Sequence, residues 1–370
     1  MQTRISRIRL RTAAFGIASC SALLAAATSV HAAEGYRLRQ APVGGFGGEI
    51  AAPLDNPGLF GTAILTQAQI YKVADGRLPS IPSRPLAGPY SISFPAGSID
   101  SIRQNQTQLN LIGGYMTEST WADGRWAFAV NLPLIHQSRS FDASQPLGTV
   151  SPTPVPPAVA AGAAAANAAV QAQVAALEAN NNTSVTGVGD AELSAVWIRH
   201  RDRLKVAAGI SLFVPTGKYD KTRGPNPGYG NFYTVRPGVA VTYALNPDQR
   251  SADWDSGVTL AGRVSYGYNT TNNDTDWRSG NFVYLEAGAI KVTGNWGFGA
   301  NLLSTRQVTD DSGSGALLGA NRYSTYGYGV FAAYRIPGKD SGFNLQYSDN
   351  FGGQNAQVTR ALQLRFIKAW

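Results

Sequence analysis

Apolar and polar residues alternate along most of the chain after residue 100, and this alternation limits what the chain can fold into more than any other feature. Between Leu204 and Val214 every second residue is aliphatic, whereas the residues between them include Lys205 and Ser211. Successive side chains of a β-strand point to opposite faces, so this period predicts strands with one apolar face and one small or polar face. No segment after residue 32 contains 18 consecutive apolar residues, which excludes helical membrane spans.

A closed barrel is the other way for a chain to cross a bilayer, because every backbone group must find a partner there. Short connections follow the even-numbered predicted strands and long ones follow the odd-numbered strands. We therefore predict an all-β fold, a single transmembrane antiparallel β-barrel of about 12 strands at 59–370, with short periplasmic turns and long outer loops. The expected strands are 59–72, 102–117, 125–134, 187–200, 204–214, 233–243, 258–268, 281–293, 295–306, 322–336, 342–349 and 355–370.

Large aromatic side chains fall near both ends of the predicted strands. Two rings of amphipathic aromatic residues match the interfacial girdles of a membrane barrel. A soluble β-sandwich, the alternative, would instead place its aromatic residues in the middle of strands. The ring near the short turns comprises Trp126, Trp197, Tyr243, Trp296, Tyr334, Phe343 and Trp370, and the other comprises Tyr233, Tyr266, Tyr268, Tyr326, Tyr328 and Tyr347.

Residues 1–32 have the pattern of a secretory signal peptide. Four arginines precede an alanine-rich apolar stretch, and small residues before position 33 offer a cleavage site. Cys20, the only cysteine, lies within this segment, so the processed chain has no disulfide, no thiolate zinc site and no cysteine nucleophile. We expect 33–58 to be a periplasmic N-terminal segment and the processed protein to reside in the bacterial outer membrane.

The charge of the chain argues against a nucleic-acid partner. Charged residues make up only 15% of the chain, against about a quarter in typical soluble proteins. The chain has 31 basic and 23 acidic residues, and removal of the four signal-peptide arginines leaves 27 against 23, a net charge of about +4. A processed chain of such low charge is not expected to bind nucleic acid.

The histidines and acidic residues do not form a recognisable catalytic or metal site. His136 and His200 are expected at opposite ends of the barrel and lack the spacing of zinc ligands. We therefore predict no enzymatic activity, no metal and no cofactor. One acidic group on outer loops could supply oxygen ligands for calcium, but we interpret its members as solvated turn residues. These are Asp274, Asp276, Asp310 and Asp311.

The last predicted strand ends the chain on Trp370. A chain that stops on an aromatic residue at the end of such a strand resembles bacterial outer-membrane β-barrels, whose assembly machinery reads that strand. The resemblance implies the barrel-assembly machinery, outer-membrane lipid and lipopolysaccharide as partners. Lys368 departs from the usual apolar residue at its place, and we expect it to extend to the membrane interface.

The segment 136–186 is expected to be a long outer loop insertion. It contains a proline-rich piece at 151–157, followed by an alanine-rich piece at 158–180 that favours a helix by intrinsic propensity. Long structured loops in barrels usually cap the pore or fold into it. A disordered surface loop with no part in transport is the other interpretation, and the sequence does not decide between them.

Charged and amide side chains on the polar faces of the strands are candidates for the lumen. Such residues set the selectivity of a pore electrostatically, or they form an internal network that holds the barrel shut. Small residues on the same faces, such as Gly267 and Gly299, favour a passage. An excess of basic residues predicts a mild preference for anions. The candidates are Arg125, Glu192, Lys205, Arg236, Arg263, Glu286, Asn301 and Arg365, with Asn131, Asn344 and Gln346 between them.

Four motifs resemble an outer-membrane family associated with the meta-pathway of phenol degradation. They are Gly187-Val188-Gly189-Asp190, then Phe213-Val214-Pro215-Thr216-Gly217-Lys218-Tyr219-Asp220, then Asp276-Trp277-Arg278-Ser279-Gly280, and Thr309-Asp310-Asp311. The resemblance covers 187–370 well and 59–135 loosely. It implies a barrel for uptake of small hydrophobic or aromatic compounds, with no established catalytic residues. A closed structural or surface-interaction barrel is the alternative.

The residues of the second motif are expected to end a strand and begin an outer loop. Asp190 could bond loop amides or pair with Lys218, and its other possible role is contact with a ligand.

Overall fold

A computed structural model describes residues 36–39, 56–249, 253–318 and 322–370. The predicted signal peptide, 1–32 with Cys20, lies outside these residues. Over the described residues the chain forms a closed antiparallel barrel of twelve strands, in which each strand pairs with its neighbour in sequence and the first pairs with the last. The barrel strands are β1 Gly58–Ala74, β4 Ser98–Met116, β5 Arg125–Ser144, β8 Ala191–Arg201, β9 Leu204–Val214, β10 Thr234–Ala244, β11 Val258–Asn269, β12 Phe282–Thr293, β13 Trp296–Gln307, β14 Ser324–Arg335, β15 Ser341–Gln354 and β16 Ala356–Ala369.

The remaining elements lie in two long connections. The strands β2 (Arg84–Pro85), β3 (Ser91–Ser93) and β6 (Thr149–Ser151) form a small separate sheet. The helix α1 spans Pro157–Asn181, where the sequence favours a helix, and β7 spans Ser184–Val188 beside β5. Short turns such as 202–203 and 294–295 lie at one end of the barrel, which we call the short-turn end. The first residue of β1 and the last residue of β16 also lie there. The other end is called the long-loop end.

The predicted twelve-stranded barrel is confirmed, and the strand limits differ mainly at β5. The prediction ended this strand at residue 134 and began the insertion at 136, whereas β5 runs on to Ser144 and pairs with β4 from Ala127 to Ser144. Its outward side chains become polar after Leu134, because the strand continues beyond the membrane. The alternation that marks a membrane-facing strand therefore ends before the strand does. The inserted part is therefore 145–183.

Connection lengths follow the expected alternation with two exceptions. At the short-turn end, the connection 245–257 is longer than 270–281 at the opposite end. The last hairpin turns at the single residue Asn355, whose φ is 48°, rather than over 349–354 as expected. Pairing continues up to this turn because Asn tolerates the left-handed conformation that it requires.

The outer surface of the barrel is apolar and carries aromatic side chains near both ends. Trp296 contacts Tyr334 at a ring distance of 4.7 Å at the short-turn end, and Tyr328 and Tyr347 lie 6.5 Å apart nearer the long-loop end. Among the described residues, no helix is both long enough and apolar enough to cross a membrane. The exposed apolar band is the surface that a barrel presents to lipid.

The helix α1 packs against the part of β5 that extends past the barrel. Its buried stripe includes Val159, Ala163 and Val170, and its C-terminal end supplies partners for the exposed edge of β5. The Asn182 side chain accepts a hydrogen bond from the Phe141 backbone N–H and donates to the Phe141 carbonyl. The helix therefore replaces a missing neighbouring strand and blunts this edge.

Large inward side chains lie over several inward glycines. A Cβ at Gly267 would come within 2.1 Å of the Phe282 ring, and a Cβ at Gly299 within 2.2 Å of the Phe331 ring. Phe282 is completely buried. The expectation that these glycines leave a free passage is therefore wrong at both positions, because aromatic rings from neighbouring strands occupy the space.

We expect Gly267→Leu to destabilise the barrel by about 1–3 kcal/mol, the usual cost of overpacking a filled interior. The matched control is Gly262→Leu on the same strand, which faces outward and has its nearest foreign atom at 3.9 Å from the added Cβ. Urea unfolding of each refolded variant in lipid vesicles, followed by tryptophan fluorescence, measures its free energy of unfolding. Equal destabilisation by the two variants would contradict the filled interior.

Candidate solute path through the barrel

All eight of the lumen candidates lie on inward faces of their strands, and several are brought together. Arg236 Nη2 donates to Glu192 Oε1 at 2.7 Å, and both side chains are almost completely buried. The Arg236 guanidinium also lies 4.8 Å from the centre of the Phe213 ring. Arg125 and Lys205 lie nearer the short-turn end and are only partly buried. Whether these residues set selectivity stays a prediction.

A continuous chain of side-chain hydrogen bonds descends the inner wall toward Glu192. Each amide donates to the next oxygen, with distances between 2.7 and 3.4 Å. The chain ends on a carboxylate because that group accepts without donating, and such chains polarise one another in a low dielectric. Its members are Gln137, Gln106, Gln108, Asn110, Asn131 and Glu192.

A second polar cluster surrounds Glu286 on the opposite wall. The Tyr284 hydroxyl and the Asn301 amide donate to its two carboxylate oxygens at 2.8 and 2.6 Å. Arg263 faces Glu286 across the β11–β12 pair, and Arg365 is buried nearby. Each acidic lumen residue thus lies beside a basic residue, as expected for the internal network that was the alternative to an open, charged pore.

Buried polar side chains occupy the centre of the lumen, where Gln346 donates to Asn301 at 3.4 Å. Asn301 and Gln346 are only 2% and 1% exposed, whereas the inward residues of β9 and β10, such as Gly209 and Ala240, are partly exposed. The inner wall is therefore less covered at these positions of β9 and β10 than at Asn301 and Gln346.

An apolar cluster lies inside the short-turn end. Phe60, Met116 and Ala127 are buried together, and Ile198 packs against them. A solute that traverses the barrel would leave the polar centre and meet apolar side chains before the periplasm.

The described part of the N-terminal segment, residues 36–39, lies inside the long-loop end. The Tyr36 carbonyl accepts a hydrogen bond from the Gln357 backbone N–H, and Leu38 is buried against Phe282 and Tyr323. This differs from the expectation that all of 33–58 lies on the periplasmic side. The buried contacts of these four residues account for the difference, since they would be lost if the segment lay outside the barrel.

Arg39 forms a buried ion pair with Asp190 of the first motif. Its Nη2 donates to Asp190 Oδ2 at 2.7 Å, and the two side chains are 1% and 4% exposed. Arg39 also donates to the Phe232 carbonyl and stacks on the Phe232 ring at 4.0 Å. Burial lowers the pKa of the Arg39 guanidinium, and the Asp190 carboxylate raises it again.

Asp190 joins three separate segments of the chain. Besides Arg39, its carboxylate accepts hydrogen bonds from the backbone N–H groups of Gly217 at 3.0 Å and Tyr229 at 2.9 Å. It lies between β7 and β8, where the strand is interrupted. Gly217 must be glycine, because a Cβ there would lie 2.6 Å from the Gly228 Cα. Loop scaffolding, one of the two expected roles of Asp190, is therefore what the geometry supports.

The other residues of the second motif also hold the loop. Thr216 Oγ1 accepts from the Ala191 N–H, and the Lys218 N–H donates to the Val188 carbonyl. Lys218 Nζ donates to the Thr186 carbonyl, so the expected pairing of Lys218 with Asp190 is wrong: Arg39 takes that place. Pro215 ends β9, the Tyr219 hydroxyl accepts from Asn272, and the Asp220 N–H donates to Asn226.

A small cavity lies between the helix and the loops at the long-loop end. Its volume is about 40 Å³, which holds only a few water molecules. Trp277 of the third motif lines it and is 2% exposed. Its lining consists mainly of aromatic and aliphatic side chains from several strands, the helix and the loops. Among them are Tyr36, Phe141, Leu177, Trp277 and Leu318.

The acidic loop residues hold loops together. Asp276 accepts from Ser314, and Asp310 pairs with Arg322 at 2.5 Å. Asp311 accepts from the Gly280 N–H and from Gln307, and burial raises the pKa of its carboxyl group. Within the described ranges, no three His, Cys, Asp or Glu side chains are grouped as metal ligands would be.

The two histidines among the described residues, His136 and His200, lie on different strands and at different ends of the barrel. His136 lies within β5, rather than at the start of a loop as expected, and its Nδ1 contacts Thr186 Oγ1 at 2.8 Å. His200 is exposed beside the short turn after β8.

Sequence reasoning missed Arg39, Tyr36 and the amide chain. Arg39 lies outside every alternating segment, so the two-residue period gives no indication that its side chain is buried. The inward glutamines of β4 could have been found, because Gln104, Gln106 and Gln108 recur at every second position. Asn105 and Thr107 on the opposite face are also polar, so the alternation of β4 is blurred there.

The fold resembles that of solved outer-membrane proteins. An outer membrane channel from Pseudomonas putida F1 has 14% identity and a TM-score of 0.58, over 86% of this chain and 98% of that one. The Pseudomonas putida toluene transporter TodX has 10% identity and a TM-score of 0.35, over 92% and 96% of the two chains. The transport unit of the Escherichia coli autotransporter AIDA-I has 8% identity and a TM-score of 0.42, over 86% and 92%.

None of the curated protein sequences compared with the chain matches it. The sequence does match a family model over residues 96–366, which is most of its length. These residues include the four motifs, ten of the twelve barrel strands completely and most of the last strand, whereas β1 lies outside the match. The chain belongs to the family described as the MetA-pathway of phenol degradation.

Proposed function

We propose that the protein is an outer-membrane channel that passes small hydrophobic or aromatic compounds. The observation that carries the proposal is the cavity at the long-loop end, lined mainly by aromatic and aliphatic side chains from the helix, the N-terminal segment, three loops and the nearby ends of β1, β4 and β5. Apolar pockets with a few polar groups are the usual form of small-molecule sites. The family membership and the likeness in fold to an outer membrane channel support the same function.

The proposed channel works by conformational change rather than as a permanently open pore. A benzene-sized cavity needs about 150 Å³, several times the volume at the long-loop end. Trp277 and Phe141 offer aromatic faces, and Leu177 and Leu318 come from elements that could separate to admit a ring. A solute would then pass along the partly exposed inward residues of β9 and β10, such as Gly209 and Ala240, to the apolar cluster around Phe60.

A closed structural barrel is the second candidate, because the central lumen is filled by hydrogen-bonded side chains such as Gln346 and Asn301. In that case the long loops would serve as a contact surface, and no solute would cross. We also propose that β16, which ends next to Trp370, is read by the barrel-assembly machinery, and that lipopolysaccharide and lipid surround the barrel. We assign no catalytic step to the protein.

Uptake of ring-labelled toluene by intact bacteria tests the channel. We expect cells with the protein in the outer membrane to show a several-fold higher initial rate than cells without it. Trp277→Leu is expected to lower the rate up to about tenfold, since an aromatic contact contributes about 0.5–1.5 kcal/mol. The matched control is Trp254→Leu, because Trp254 is 81% exposed in the connection 245–257 at the short-turn end.

The amount of folded protein is compared by its heat-dependent mobility on gels, so that a folding defect is not read as loss of transport. An uptake rate equal to that of cells without the protein would favour the closed barrel. Equal rates for the two tryptophan variants would show that the cavity around Trp277 has no part in transport.

A further inference from the structure

We propose that the cavity at the long-loop end binds aromatic compounds that carry a carboxylate, and that Arg139 recognises the carboxylate. This inference rests on the proposed channel function and names the class of solute that the same cavity favours. Arg139 lies on the inward face of β5, in the part of the strand that extends past the membrane, and it lines the cavity. The residue is only 7% exposed.

Neutral oxygen atoms of the protein hold Arg139 in place. Its Nε donates to Gln104 Oε1 at 2.8 Å, and its Nη1 donates to Asn181 Oδ1 at 2.9 Å. A guanidinium carries five N–H groups. One N–H on Nη1 and both on Nη2 therefore have no acceptor among the described residues. Such a pair of nitrogen atoms can donate two parallel hydrogen bonds to one carboxylate.

Arg139 has no carboxylate beside it, in contrast to two other deeply buried arginines. Arg39 pairs with Asp190 and Arg236 pairs with Glu192, each at 2.7 Å. Burial lowers the pKa of the Arg139 guanidinium to about 9, and none of the described acidic side chains opposes this effect. The group is thus still charged at neutral pH, and a buried charge without a partner is costly. An anionic ligand would supply the partner.

The charge of the cavity lining is positive. Among the described residues, Arg77 lines the cavity together with Arg139, and no acidic side chain does so. The acidic residues of neighbouring elements are engaged or lie elsewhere. Glu178 accepts from a backbone N–H of β5, Asp311 accepts from a loop N–H and a glutamine, and Asp75 is exposed. The lining therefore favours an anion over a cation.

The apolar part of the lining favours an anion that carries an aromatic ring. Phe141 lies two residues after Arg139 on the same face of β5, and Trp277 lines the cavity from a loop. A ring can contact these two side chains while its carboxylate contacts Arg139. An inorganic anion would use the guanidinium alone, and an aromatic hydrocarbon would use the rings alone. An aromatic carboxylate uses both parts of the site.

Opening of the cavity would change the partners of Arg139. Leu177 and Asn181 lie in the same turn of α1, where Asn181 Nδ2 donates to the Leu177 carbonyl at 2.9 Å. Separation of Leu177 from Leu318 to admit a ring would therefore also withdraw the Asn181 oxygen from Arg139. A carboxylate replaces that acceptor, whereas an uncharged ligand leaves the charge without a partner. The anion thus favours the open cavity.

Equilibrium dialysis of the refolded protein in an uncharged detergent, with benzoate and with benzamide, tests the proposal. The two compounds have nearly the same shape, but only benzoate is an anion at neutral pH. We expect benzoate to bind about tenfold more tightly, the difference that a hydrogen bond to a charged group makes. Arg139→Gln should abolish this preference and leave the binding of benzamide nearly unchanged.

The matched control is Arg103→Gln. Arg103 precedes Gln104 on β4 but lies on the outward face, where it is exposed. The control removes the same charge at the same level of the barrel without changing the cavity, so the preference for benzoate should persist. Arg139→Lys keeps the charge but loses the planar fork, and it should retain part of the preference. This variant provides the result if Arg139→Gln does not fold.

Three results would overturn the proposal. The first is a folded original protein that binds benzoate no more tightly than benzamide, or that binds neither. The second is a parallel loss of both ligands in Arg139→Gln, which would limit Arg139 to holding α1 in place. The third is loss of the preference in Arg103→Gln, which would indicate general attraction of anions to a basic protein.

The dialysis result is independent of the toluene uptake that tests the channel. Uptake of toluene without a preference for benzoate would keep the channel and reject the carboxylate specificity. A preference for benzoate that depends on Arg139, without toluene uptake, would keep the binding site and reject the proposed channel for hydrocarbons.

Discussion

An Asp190→Ala variant is expected to lose about 3–5 kcal/mol of its free energy of unfolding, the usual effect of removing one partner from a buried ion pair. The substitution leaves the Arg39 guanidinium almost completely buried without its carboxylate. It also removes the acceptor for the N–H groups of Gly217 and Tyr229. The N-terminal segment, the loop after β9 and the interruption between β7 and β8 would lose their common contact.

Urea unfolding in lipid vesicles measures this loss, and the chain provides a matched control. Arg199 pairs with Asp123 at 2.9 Å, but the two side chains are 35% and 81% exposed. Asp123→Ala should therefore cost no more than about 1 kcal/mol.

A double-mutant cycle with Arg39→Ala separates the ion pair from the remaining contacts of Asp190. We expect the double variant to be less destabilised than the sum of the two single variants. Additive losses, or equal effects of Asp190→Ala and Asp123→Ala, would show that the pair does not hold the segment.

Replacement of 145–182 by a flexible Gly-Ser linker is expected to raise the ion conductance of the barrel several-fold in planar bilayers. This segment contains α1, whose Leu177 and Asn181 line the cavity at the long-loop end together with Tyr36 and Trp277. Ser184 pairs with Ser138, so the linker must return from Ser144 over six strand residues, about 20 Å. A linker of about eight residues spans this distance.

Ala164→Glu is the control, because Ala164 lies on the exposed side of α1 and the variant keeps the helix in place. It should conduct like the original protein, with few or small current steps, because the helix and the loops still cover the long-loop end. The reversal potential of the deletion variant in a salt gradient tests the expected mild anion preference. An equally silent deletion variant would show that the polar centre, rather than the helix, closes the path.

Much of the fold could be predicted because lipid and a polar interior impose a two-residue period on each membrane-crossing strand. Leu204 to Val214 was predicted with the limits that β9 has, since its outward side chains are all aliphatic. The prediction ended β5 too early at residue 134, since lipid no longer constrains its outward residues there. The motif around Asp190 could be recognised, but its partner Arg39 is 151 positions away and lies in no periodic segment.

The barrel, the inward and outward faces of its strands and the helical propensity of the alanine-rich segment could be read from the sequence, because each depends on neighbours along the chain. Three features required the folded chain: Tyr36–Arg39 lies in the long-loop end, Phe282 fills the space beside Gly267, and Arg39 pairs with Asp190. These features depend on cross-strand register and on contacts between distant segments. Closure of the barrel fixes both, and no local pattern records them.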